Sequence, residues 1–313
     1  MMPGEIIRAI VEASPAGLWI MFIGALVGAS CGIIGCFLVL RRMAMLGDAI
    51  SHAVLPGIVL AFLFSGSRNI LPMLLGAGAL GLLTAFITET LQRRGRLQGD
   101  AAIGVTFTAL FALGVILVSR YAGQVDLDLD CVLYGEILYA PFDRLEIAGL
   151  DLGPRQAWSM GGVLIASGLF ILLGWKQLKV CAFDPALARS MGINVVLWHY
   201  LLMTFTSITT VASFESVGAI LVVAMLTVPP NTAYLLTDRL WRMVVLAAGF
   251  GAASAVLGYG VATVLDASIA GAIATVSGVF FLLAAIFSPR HGVIKRLLGR
   301  HASGHHKEYP GVA

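Results

Sequence analysis

Residues 17–40 read GLWIMFIGALVGASCGIIGCFLVL, a run without one charged side chain that ends abruptly on Arg41-Arg42. About 20 apolar residues are enough for a helix to cross the hydrocarbon core of a bilayer. A run of this length cannot be one stripe of a soluble helix, so it makes lipid the main solvent of the chain. The rest of the 313 residues agree: 59% are hydrophobic and only 12% charged, against about 25% charged in soluble domains. The mean hydropathy is +0.93, and 36 glycines suit helices whose backbones approach closely in a membrane. A formal net charge of +3, carried by scattered cations, excludes nucleic acid as a partner.

Outward from this run, apolar stretches of spanning length recur at about 48–64, 70–91, 101–119, 157–176, 195–213, 216–236, 243–265 and 267–288. They predict an all-α, polytopic membrane protein of about nine helices, with one transmembrane domain over about 17–288. Eight spans remain an alternative, because the second stretch is short and holds Pro56 and two others meet very tightly near Ser213 to Ser216. Glu5 and Glu12 around a lone Arg8 match a cleaved leader poorly, so the first stretch is expected to be a genuine span. Cytoplasmic loops collect Lys and Arg. Alternating faces across nine spans puts Arg41-Arg42, Arg93-Arg94-Arg96, Lys176, Lys179, Arg189, Arg239, Arg242 and the C-terminal cations on one side. Only Arg8, Arg68, Arg120, Arg144 and Arg155 fall on the other, which predicts an external N-terminus and a cytoplasmic C-terminus. Residues 289–313, basic and carrying His301, His305 and His306, are expected to form a disordered tail rather than a metal site.

Three polar segments stand out against this background. Residues 121–156 carry Asp126, Asp128, Asp130, Glu136, Asp143, Glu146 and Asp151. They read as an external docking surface or as a solvated acidic loop, with Val132 to Ala140 short and apolar enough for an interfacial or re-entrant helix. Phe183-Asp-Pro-Ala-Leu-Ala-Arg-Ser-Met-Gly192 reads as a complete short helix: Asp184 caps it, Pro185 suits its first turn and Gly192 can end it. It is either a contact element or a stiff connector. Pro229-Pro230, beside Thr227 and Asn231, is expected to kink a span, as is Pro56.

The sharpest chemical signal is Gly47-Asp-Ala-Ile-Ser-His-Ala-Val-Leu-Pro-Gly57. Asp48 and His52 are four apart and share a helix face, where a carboxylate and an imidazole together suit manganese, iron or zinc. Pro56 has no N–H for the His52 carbonyl, which frees an oxygen nearby. Against this, Asp48 could simply favour the positive end of its helix and His52 could be a packing residue. Glu215 could attract cations or lie at the water boundary. Cys31, Cys36, Cys131 and Cys181 lack metal or redox spacing. Ser51 and His52 diverge on a helix and cannot act as nucleophile and base, and neither an HExxH motif nor a GxxxxGKS/T phosphate loop is present. No enzyme activity is expected, and any ATP must be handled by another chain.

Arg41-Arg-Met-Ala-Met-Leu-Gly-Asp-Ala-Ile-Ser-His-Ala-Val-Leu-Pro-Gly57 closely resembles the hallmark of permeases in ABC importers of zinc, manganese and iron. The resemblance extends to Asp128–Ile137, Phe183–Gly192 and Val217–Pro230, with Cys131 where such stretches often carry serine. It implies a fold similar to the cobalamin-importer permeases and an assembly of two permeases, identical or paralogous, with two cytoplasmic ATPases and one extracytoplasmic metal-binding protein. By that resemblance Asp48 and His52 match translocation-path ligands. Asp184, Pro185, Ala186, Leu187, Ala188, Arg189, Ser190, Met191 and Gly192 match the coupling helix that sits in the ATPase. The expected cargo is a divalent ion, Mn or Zn and then Fe, crossing a bacterial inner membrane with ATP bound on the partner and no resident cofactor. A secondary, ion-coupled transporter is the alternative.

Overall fold

A computed structural model describes residues 3–43, 45–65, 70–121, 137–147 and 150–288. Each of the nine apolar stretches forms one helix among the described residues. These are α2 (Pro15–Leu40), α3 (Leu46–Ser65), α4 (Ile70–Arg93), α5 (Gly99–Tyr121), α6 (Arg155–Leu173), α9 (Val195–Val217), α10 (Ala219–Leu236), α11 (Leu240–Leu265) and α12 (Ile269–Phe287). Seven are long and apolar enough throughout to cross a membrane, and α3 and α4, of 20 and 24 residues, equal them in length. The acidic positions 126–136, most of the stretch Val132 to Ala140, and the tail 289–313 lie outside the described residues.

Shorter elements appear where loops were expected. Helix α1 (Pro3–Val11) lays Ile6 and Ile10 on Gly260 of α11. Helix α7 (Trp175–Phe183) follows α6 after Gly174 and holds Lys176 and Lys179, so the fifth span stops at Leu173 rather than 176. Trp175 anchors α7 between Phe37 and Trp241, at ring separations of 6.3 and 5.5 Å. Between α5 and α6, Ile137 and Ala140 are buried in a turn against α2, and an antiparallel hairpin follows, β1 (Arg144–Ile147) with β2 (Leu150–Pro154). An Arg144–Asp151 ion pair braces that hairpin.

The tight turn between α9 and α10 is one residue, Gly218, at φ +79° and ψ 166°. Only glycine adopts that conformation readily. The helix runs on through Ser213 to Ser216, whose hydroxyl donates to the Ala212 carbonyl within the helix.

Helix α2 is the centre of the bundle. It packs on α6, α9, α10 and α11, with Ile23, Ile34, Phe37 and Leu38 fully buried. In lipid, helices gain little from apolar burial against one another, and close contact between small residues takes over. A Cβ on Gly28 would lie 2.5 Å from the Gly251 carbonyl carbon of α11, and one on Gly32 would lie 2.8 Å from the Ala247 oxygen. Gly35 abuts the Leu226 carbonyl of α10, the oxygen left without a helical partner because Pro230 has no N–H. Pro229 and Pro230 thus stand inside a continuous helix with a neighbour fitted to the gap. Gly28→Leu should cost at least the about 1–3 kcal/mol typical of overpacking. The expected result is a lower Tm of the purified protein in detergent, and an unchanged Tm would mean that α2 and α11 do not meet there.

Candidate metal pathway

Helix α3 begins after a short turn from α2, with the Leu46 amide donating to the Met43 carbonyl (3.0 Å) and the Ala49 amide to that of Met45 (3.1 Å). Ala49, Ile50 and Ala53 are buried and hold one side of α3 in the bundle. Gly57 and Gly76 bring α3 and α4 together backbone to backbone, since a Cβ on Gly57 would lie 2.5 Å from the Gly76 carbonyl oxygen. Pro56 is buried within α3. The Ser51 hydroxyl donates to the Gly47 carbonyl (2.9 Å), not to His52.

Asp48 and His52 stand on one face, with Asp48 Oδ1 3.4 Å from His52 Nε2. That is longer than a normal N–H···O hydrogen bond of about 2.7–3.2 Å. Two donors each about 2.1 Å from a common ion at a tetrahedral angle stand about 3.4 Å apart, so the pair is spaced to share a cation. The His52 ring rests against Phe107 and Phe111 of α5, at 5.7 and 5.9 Å, which fixes its orientation. About a third of each side chain stays exposed, 33% for Asp48 and 36% for His52. Among the described residues no three His, Cys, Asp or Glu side chains gather as a metal site. Two side chains of this kind are half of the four ligands usual around zinc.

The other sequence candidates separate by position. Asp184 Oδ1 accepts from the Ala186 and Leu187 amides, both at 3.0 Å, and caps α8 (Pro185–Ser190). Gly192, at φ +77°, ends the segment, and the Ile193 amide returns to the Ala188 carbonyl (3.0 Å). Only Ala188 of α8 is buried, while Phe183, Leu187 and Met191 are exposed. Glu215 lies at the hairpin end of α9, with Arg155 and Asp143 as charged neighbours and far along the helix from His199. Cys31, Cys36 and Cys181 are buried free thiols, and Cys31 Sγ lies 3.5 Å from the Ser213 hydroxyl. Cys131 and His301, His305 and His306 fall outside the described residues.

A cluster that sequence reasoning missed lies at the opposite end of α9. Arg41, at the C-cap of α2, donates from Nη1 to His199 Nδ1 (3.2 Å), and His199 Nε2 lies 3.7 Å from Glu89 Oε2 of α4. The His199 and Glu89 side chains are only 13% and 11% exposed. Burial of the Arg41 guanidinium pulls its pKa below the usual arginine value, against a smaller opposing effect of Cys181. Arg41 is legible in the sequence as a loop cation, but nothing local announces that its head group turns inward.

Comparison with known proteins matches residues 17–288 to the ABC 3 transport family. The chain is 53% identical over 280 residues to the manganese transport system membrane protein MntD of Bacillus subtilis, covering 90% of this chain and 95% of that one. It is 46% identical over 279 residues to the zinc transport system membrane protein TroD of Treponema pallidum, covering 89% and 76%. Among solved structures, PsaBC from Streptococcus pneumoniae in complex with Fab aligns with a TM-score of 0.77 at 33% identity, over 95% of this chain and 100% of that one. With nearly all of its membrane helices inside the matched region, this chain belongs to the ABC 3 transport family.

Proposed function

We propose that the chain is the membrane permease of an ATP-driven importer that carries a divalent first-row metal ion, manganese or zinc first and iron after them, into a bacterial cell. The observation that carries this reading is the Asp48–His52 pair, spaced 3.4 Å apart on a span of a chain that is 53% identical to a permease named for manganese. A carboxylate and an imidazole suit the borderline-hard ions of that group. Two copies of the chain, or this chain and a paralogue, face each other so that two half-sites surround one pathway. Conduction needs binding favourable enough for entry and weak enough for exit. Two ligands from each chain, partly open to water, meet that requirement better than a closed cage.

The force comes from elsewhere. A separate ATPase engages the capped helix α8, whose exposed Leu187 and Met191 supply apolar contact. An extracytoplasmic binding protein delivers the ion to the end that holds the β1–β2 hairpin. The arginine-rich end, with Arg41, Arg42 and Arg189, faces the cytoplasm, in keeping with the bias of cytoplasmic loops toward basic residues. ATP-driven movement of α8 changes the packing around α3 and opens the half-sites first to one side, then to the other.

In proteoliposomes holding the permease, its ATPase and the binding protein, Asp48→Ala and His52→Ala should each abolish manganese uptake while the ATPase still copurifies. Normal uptake by either variant rejects the site, and wild-type uptake without internal ATP rejects the ATP-driven reading. Asp184→Ala removes a cap worth about 1 kcal/mol. It should lower copurification of the ATPase without altering manganese affinity of the permease, and undiminished copurification would remove α8 from the interface.

A further inference from the structure

The segment that begins with α7 and α8 is stiffly joined to α9. The Ile193 amide donates back to the Ala188 carbonyl (3.0 Å), and Asn194 Oδ1 caps α9 by accepting from the Leu197 amide (3.0 Å). His199 stands one turn further on, so a displacement of α8 is felt at His199. Arg41 and Glu89 belong to the other side of the machine. Arg41 opens the turn that leads straight into α3 and Asp48, and Glu89 lies on α4, which is locked to α3 at Gly57 and Gly76. A cavity of about 360 Å³ brings Arg41, Glu89 and His199 together with Cys181 of α7 and Pro185 and Arg189 of α8.

The trio has a fixed polarity. Arginine only donates, so His199 Nδ1 accepts from Arg41 and the proton of the neutral ring sits on Nε2, aimed at Glu89. This argues against a second metal site, because an ion at Nε2 would have to displace that proton beside a guanidinium. The 3.7 Å gap between Nε2 and Glu89 is beyond a hydrogen bond. A shift of α9 against α4 of less than an ångström would close it into a hydrogen bond or release it.

We propose that Arg41, His199 and Glu89 form a positioning clasp that passes movement of α8 to the α3–α4 pair, and so to Asp48 and His52. The inference rests on the permease reading above and adds the residues through which ATP use and ion movement are coupled. Its signature is loss of coupling, not loss of fold.

The test uses the complete transporter in proteoliposomes, measuring ATP hydrolysis and manganese uptake on the same preparation. His199→Leu removes the contacts to Arg41 and Glu89 and should lower manganese carried per ATP hydrolysed about tenfold, a coupling loss of the usual allosteric size, while hydrolysis continues. His199→Gln can accept from Arg41 through its amide oxygen and donate to Glu89 through its amide nitrogen, so it should restore most of the ratio. Glu89→Leu should resemble His199→Leu, and the double variant should be no worse than either single one. The proposal is overturned by an unchanged ratio in His199→Leu. It is equally overturned if His199→Gln is as uncoupled as His199→Leu, if the two single losses multiply, or if hydrolysis, assembly and uptake fall together in every variant. Failure of the wild-type assembly to take up manganese with ATP present would instead sink the permease reading itself.

Discussion

Helix α2 touches α10 and α11 backbone to backbone because Gly28, Gly32 and Gly35 put no side chain in the way. The rest of the bundle depends on that contact. A membrane gives helices little apolar driving force to associate, so van der Waals fit has to supply it, and fit is best where backbones meet. The proline in α10 completes the arrangement, since the carbonyl it leaves unbonded is covered by a neighbour with no Cβ to push it away. Around this rigid axis, α3, α4 and α5 form a second group whose own close contact is Gly57 with Gly76. Asp48 and His52 sit on α3 in that second group.

This division gives the pathway its character. His52 is held by two phenylalanine rings and Asp48 by its place on the same helical face, so the two side chains are oriented without being enclosed. On the proposed pathway that openness matters, because an ion gripped by a full set of protein ligands would leave slowly.

The parts of the molecule that the sequence reveals are those set by neighbours in the chain. Apolar length is a local property, so all nine long helices could be read from hydropathy, and so could the shared face of Asp48 and His52 and the capped helix at Asp184. Helix α7 escaped because Lys176, Gln177 and Lys179 interrupt any apolar run, although Trp175 and Leu178 still anchor it. The boundary between α9 and α10 was displaced by a few residues because serines and a glutamate resemble a turn, whereas the chain breaks only where a positive φ is available. The Arg41–His199–Glu89 cluster was invisible for a different reason. Arg41 and His199 are 158 positions apart, and only the packing of three helices brings them into reach.

The single-residue joint at Gly218 also bears on how the chain enters the membrane. Helices α9 and α10 are joined by a single residue with no loop between them, so in the bilayer the pair forms one closed hairpin. For the insertion machinery, Val195–Leu236 is an almost unbroken oily ribbon that must be creased rather than pushed straight through. The crease is specified by one hydrogen atom standing where every other residue carries a side chain.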